Sequence, residues 1–153
     1  NVLINISSIS LNENNYYVSI HHNNKNCTSN TNIHGLTIDN NSIYIKNNGY
    51  IPNGSEKSVL HQDNKIIVMN DNKSKIEPNL FIDEYDVEAS HGAYIGKFDE
   101  EELFYLNSRG LDENKCYELL INGFLLNEFN ITDDVKDDLK KIIKKYWRWK
   151  NEL

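Results

Sequence analysis

The sequence predicts a mainly β front followed by an α-helical C-terminal region, with the change near residue 98. Two observations carry that expectation. From residue 1 to about 88, apolar residues alternate with polar ones in short runs separated by turn-forming clusters, whereas from Asp99 onward they recur at helical spacing. Alternation puts every second side chain on one face of an extended strand, and helical spacing gathers them along one stripe. A chain of 153 residues has room for one core or for a part of a larger one.

The strand signals come in order. Val2, Ile4 and Ile6 open an alternation at the first residues, which, with no initiator Met, suggests a piece of a longer protein. Further strands are expected over Ile33–Ile38, Ser42–Lys46 and Lys65–Met69. Between them stand Asp39-Asn40-Asn41, Asn47-Asn48-Gly49, Pro52-Asn53-Gly54 and Asn70-Asp71-Asn72, all rich in residues that tolerate turns. The steps from Ile43 to Ile51, Val59, Ile67 and Ile76 suggest short strands at regular intervals, as in a sandwich, a barrel or a β-helix. Residues His21–Asn32 contain almost nothing apolar and are expected to be mobile.

The helical region has explicit punctuation. Asp99 with Glu102 has capping-box spacing, and Arg109-Gly110 ends the run with a glycine suited to the left-handed position. Asp112 caps a second helix, with Leu111 and Cys116 placed as a hydrophobic staple before Leu119, Leu120, Gly123 and Phe124. The stripe lapses at Asn127. Thr132 starts a third helix carrying Val135, Leu139, Ile142, Ile143, Tyr146 and Trp149 on one stripe, with Asp133 and Asp134 at its positive end and Lys144, Lys145, Arg148 and Lys150 toward its negative end. Domain organisation is read as residues 1–97, strand-rich, and 98–153, helical.

Composition limits the function. Sixteen Lys and Arg against 23 Asp and Glu leave a formal charge of -7, which disfavours a general nucleic-acid or anionic-membrane binder. No apolar run approaches the ~18–20 residues that cross a bilayer. Two cysteines, Cys27 and Cys116, neither form a disulfide scaffold nor have metal spacing, so a reducing compartment is favoured. The 25 asparagines admit two explanations, a stacked ladder inside a β-helix or AT-rich codon usage. Their clustering at 12–15, 23–32 and 47–48 favours codon usage.

Residues alone offer little chemistry. His21-His22 would point to opposite faces of a strand, so solvent exposure in a loop is preferred over a metal site. His34 and His61 lack spaced partners, and the acidic run Asp99–Glu102 is explained by the helix dipole. No phosphate-binding glycine loop or nucleophile elbow is present in the sequence. Tyr146, Trp147 and Trp149 among Lys and Arg suit either a tail helix folded on the strands or a protein-docking surface.

The stretch Glu88 to Leu111, containing Ser90-His91-Gly92-Ala93, Asp99-Glu100-Glu101-Glu102 and Leu103-Phe104-Tyr105-Leu106-Asn107-Ser108-Arg109-Gly110, resembles the C-terminal signature of the SufB/SufD family. The likeness extends through Gln62-Asp63-Asn64-Lys65, Lys75-Ile76-Glu77-Pro78 and Leu120-Ile121-Asn122-Gly123-Phe124. Gly92, where SufB usually has Glu, makes it resemble the SufD branch.

That resemblance implies a right-handed parallel β-helix ending near Val87, then C-terminal helices. It implies a non-catalytic scaffold of the SufB–SufC–SufD complex, which assembles iron–sulfur clusters, with no cofactor held tightly by this chain alone. Pairing with SufB would use the β-helix edge, and docking of the SufC ATPase would use the helices, so that SufC closure strains the SufB–SufD interface. His91 matches a family histidine implicated as a cluster or iron ligand; Ala89 stands where many SufD sequences have Cys. Phe104, Tyr105, Ser108, Arg109, Gly110, Leu119 and Phe124 are the positions carried over for SufC contact, with Phe104, Tyr105, Leu119 and Phe124 equally candidates for core. A truncated coil end could also pair with a second copy. Asparagine richness fits an apicomplexan source and hence the plastid (apicoplast), whereas a bacterial source implies the cytoplasm. A β-helix enzyme acting on polysaccharide, or an Asn-rich structural repeat, would leave residues 88–111 unexplained.

Overall fold

The computed structural model describes residues 1–70 and 73–151, the side chains of 146–151 excepted. The aromatic and basic side chains noted at Tyr146–Lys150 therefore lie outside the described residues. Two compact units result, Asn1–Lys97 and Phe98–Leu153.

The first unit is a β-solenoid of about three turns, whose strands are β1 (Val2–Ser10), β2 (Asn14–His21), β3 (Thr28–Thr37), β4 (Ile43–Ile51), β5 (Ser58–Val68), β6 (Lys75–Ile82) and β7 (Val87–Gly96). All described pairings are parallel, in two sheets of order β1-β3-β5-β7 and β2-β4-β6. Each turn of the chain thus lays one strand in each sheet. Register partners stand 27 residues apart at Val2 and Ser29, 31 at Ser29 and Leu60, and 29 at Ser58 and Val87. The eight-to-nine-residue interval in the sequence alternately spans a strand and a bend: Ile43 and Ile51 both lie in β4, Val59 and Ile67 both in β5.

Alternation decides what lies inside. Strand β4 is buried at every second residue, and Ile43 and Ile45 meet Ile33 and Ile66 in the apolar core. Close approach is needed there: a Cβ on Gly35 would lie 2.6 Å from Ile43 Cδ1. The apolar side chains of three coils stack in columns, so each coil covers the next and none has a complete core alone.

Three expectations are corrected. Asn47-Asn48-Gly49 is not a turn but the middle of β4, because Asn47 is buried and bonded while Asn48 faces outward. The polar segment 21–32 is built into the coil rather than loose: His22 N–H donates to Tyr50 C=O at 3.0 Å, Asn26 N–H to Glu56 C=O at 3.0 Å, and Ser55 Oγ to His22 C=O at 3.0 Å. Nor does the solenoid end near Val87; its last strand begins there and runs to Gly96.

Asparagine does form ladders. Asn32 Nδ2 donates to its register partner Asn5 at 2.9 Å, and Asn79 Nδ2 to its partner Asn48 at 3.0 Å. Aromatic rings follow the same rule on the outer face of the second sheet, where Tyr50 stacks on His21 at 4.2 Å and on Phe81 at 4.7 Å. Of the adjacent pair, His21 ends β2 and is exposed, while His22, just past the strand, is buried with Nε2 2.8 Å from Ser29 Oγ, which corrects the expected solvent-exposed loop at that residue.

The second unit holds α1 (Glu100–Ser108), α2 (Glu113–Leu126) and α3 (Asp133–Asn151). Asp99 caps α1 through Glu101 N–H at 2.8 Å, one residue earlier than capping-box spacing suggests. Gly110 takes φ +87 just past the helix, and Asp112 caps α2 through Lys115 N–H at 2.9 Å. Cys116, Ile121, Leu125, Leu126 and Ile143 are buried, while Val135 and Ile142 of the expected α3 stripe are exposed. Among the described residues no helix is long and apolar enough to cross a membrane.

Candidate functional site

Strand β7 is terminal in its sheet, so its interior-phase side chains have no further described coil against them. Register sets that phase: Leu60, Gln62, Asn64 and Ile66 of β5 pair with Ala89, His91, Ala93 and Ile95. All four β5 residues are buried, yet His91 is exposed and Ile95 is 43% exposed. His91 thus continues an interior column that opens to solvent.

Behind it the interior is polar. Asn64 Nδ2 donates to Gly92 C=O at 3.1 Å, Asn47 Nδ2 donates to Asn64 Oδ1 at 3.0 Å and to Thr31 Oγ1 at 2.8 Å, and Gln62 Nε2 donates to Asn47 Oδ1 at 3.3 Å. These amides come from both sheets and span the solenoid. The sequence held one signal for them: in Leu60-x-Gln62-x-Asn64-x-Ile66, polar residues occupy an apolar phase.

The outer face of β7 carries different groups. His61 Nδ1 lies 2.7 Å from Ser90 Oγ, and its Nε2 lies 3.5 Å from Glu88 Oε1. Asp63 takes Lys65 Nζ at 2.7 Å and approaches His34 Nε2 at 3.6 Å. A Cβ on Gly92 would stand 3.3 Å from Asp63 Oδ1, so a side chain there would press on that carboxylate. Among the described residues no group of three or more His, Cys, Asp or Glu is gathered to hold a metal, and His91 is a single donor.

In the helical unit the structure sorts side chains that the sequence could not. Phe104 is 75% exposed and Tyr105 56%, and the Arg109 guanidinium lies 5.1 Å from the Tyr105 ring centre. Ser108 Oγ donates to Tyr105 C=O at 2.7 Å, and Gly110 closes the same exposed end of α1. Leu119 is also exposed, whereas Phe124 is half-buried, edge-on to Phe98 at 6.2 Å. Phe104, Tyr105, Ser108 and Arg109 therefore share an exposed stretch; Phe124 packs inside its own unit.

Residues 10–124 match the family model described as SUF system FeS cluster assembly, SufBD core domain. The chain is 34% identical over 116 residues to the iron–sulfur cluster assembly protein SufD of Bacillus subtilis, covering 73% of this chain and 26% of that protein. It is 39% identical over 101 residues to a SufBD family protein of Pyrococcus horikoshii, covering 63% of this chain and 22% of the relative. Against SufD of Escherichia coli it is 36% identical over 62 residues, covering 40% of this chain and 14% of the relative. The chain thus spans about a quarter of the length of the Bacillus relative. By these sequence matches, the chain belongs to the SufBD family of iron–sulfur cluster assembly proteins, close to SufD.

Proposed function

We propose that the chain acts as a non-catalytic, SufD-like scaffold in iron–sulfur cluster assembly, pairing with SufB through β7 and docking the SufC ATPase through α1. The observation that carries this reading is His91, an interior-phase residue left open on a terminal strand. A terminal strand has unpaired backbone donors and acceptors along one edge, which suits the addition of a partner's strand. A neutral imidazole is a good iron ligand, and one imidazole makes an incomplete site, so the remaining ligands for the cargo iron or cluster would come from SufB. Without SufB, the same edge supports self-association. The exposed aromatic and arginine side chains of α1 are the residue types enriched at protein interfaces.

The test is a pull-down of the chain with SufC and SufB of the same source, using Arg109→Glu and His91→Ala variants. SufC binding lost with Arg109→Glu, with SufB pairing retained, supports the reading. A folded wild-type chain that binds neither partner overturns it.

A further inference from the structure

Gly92 offers its carbonyl oxygen to the buried amides of the solenoid, and that fixes the polarity of the chain behind it. Asn64 must turn Nδ2 toward Gly92 C=O, at 3.1 Å, which leaves Oδ1 to accept from Asn47 Nδ2 at 3.0 Å. Asn47 Oδ1 accepts in turn from Gln62 Nε2 at 3.3 Å, and the Asn47 backbone carbonyl accepts from the same nitrogen at 3.3 Å. A flipped Gln62 amide would set its oxygen against two acceptors, so Oε1 is the atom left over. That oxygen is buried without a hydrogen-bond partner among the described residues, on a residue 4% exposed. Native interiors seldom leave an acceptor so. The next residue in the column, on the same face and one strand away at about 4.8 Å, is His91.

We propose that Gln62 is a positioning residue for His91: a ring N–H of His91 donates to Gln62 Oε1 in the working conformation. That bond fixes the imidazole tautomer and leaves the lone pair of the other ring nitrogen for the cargo metal. Histidine ligands are commonly oriented this way, through an oxygen acceptor on the far nitrogen. The second half of the statement rests on the proposed iron-handling role of His91; the hydrogen bond itself does not. The conformation described here lacks the bond, and rotation of the exposed His91 side chain is what would form it.

The experiment is nitrogen NMR of the His91 imidazole in the whole chain, at a pH where the ring is neutral, in wild type and Gln62→Met. One tautomer in wild type, replaced by the mixture of a free imidazole in Gln62→Met, is the expected result. A wild-type ring already showing that mixture overturns the proposal without recourse to a variant that must fold. So does a spectrum unchanged by Gln62→Met. Ferrous iron titrated into the chain paired with SufB then separates the two readings. Affinity falling about tenfold or more in Gln62→Met supports both. A tautomer lost in the variant with no iron bound by wild type upholds the hydrogen bond and overturns the iron role of His91.

Discussion

Asn47 and Asn64, one on each sheet of the solenoid, are joined by a 3.0 Å hydrogen bond with neither side chain exposed to solvent. Both amides are otherwise engaged, Asn47 with Thr31 and Gln62, Asn64 with Gly92 C=O. The two sheets are thus tied by directional bonds at a level where apolar packing gives way.

Removing the centre of that chain exposes its cost. Asn47→Leu keeps the volume close but leaves Thr31 and Asn64 each short of a partner, while Gln62 keeps the residue-47 backbone carbonyl, so about 3 kcal/mol of stability is expected to be lost, at ~1–3 kcal/mol per orphaned buried group. Asn48→Leu, one residue on and facing outward, should cost about 1 kcal/mol or less, since only one half-buried hydrogen bond goes. Urea unfolding of both variants measures the contrast; equal losses would show that the buried amides are not what ties the sheets.

A second expectation concerns acid. His22 is 3% exposed, with Nε2 2.8 Å from Ser29 Oγ and Nδ1 without a partner among the described residues. Burial pushes its pKa below the ordinary value of 6.5. The unfolded chain therefore holds the proton more tightly than the folded one. Its contribution is complete above 6.5 and declines as pH falls from there toward the lowered folded value. The urea midpoint should drop between about pH 7.5 and about pH 5.5, and His22→Gln should flatten that drop. An unchanged slope would mean that other groups set the acid limb.

Two glycines separate packing from backbone conformation. A Cβ on Gly49 would lie 2.6 Å from Leu60 Cδ1 and 3.2 Å from Gln62 Nε2, so Gly49→Ala should cost about 1–3 kcal/mol through overpacking. Gly110 has nothing within 4 Å of such an atom but sits at φ +87, so Gly110→Ala should cost about 1 kcal/mol through conformation alone. In a background with Leu60→Ala the first penalty should shrink and the second should not. Thermal unfolding of the double variants reads the difference.

The α1 surface makes the last prediction. Phe104→Asp and Tyr105→Ala remove exposed rings, so the thermal midpoint should barely move, while under the proposed docking role SufC binding weakens about tenfold or more, as truncating an interface anchor does. Destabilisation in place of lost binding would assign these rings to the core.

How much of this was legible in the sequence differs from residue to residue. Strand and helix types follow from local spacing, and the caps Asp99 and Asp112 and the stop at Gly110 follow from side chains acting on their own backbone. The Ser90–Ala93 and Phe104–Gly110 segments were also legible, as a likeness to the SufB/SufD family. Asn47-Asn48-Gly49 has the composition of a turn yet lies within β4, because two neighbouring coils hold Asn47 inside.

The sequence by itself determined the element types and the family, since each rests on residues close together in the chain. The tertiary structure alone decided which positions stack. Partners in a solenoid lie 27 to 31 residues apart, at spacings set by the lengths of the intervening bends, and no local pattern encodes that distance. Only that stacking puts Asn48 under Asn79, Tyr50 between His21 and Phe81, and His91 over Gln62 at the open end of the column.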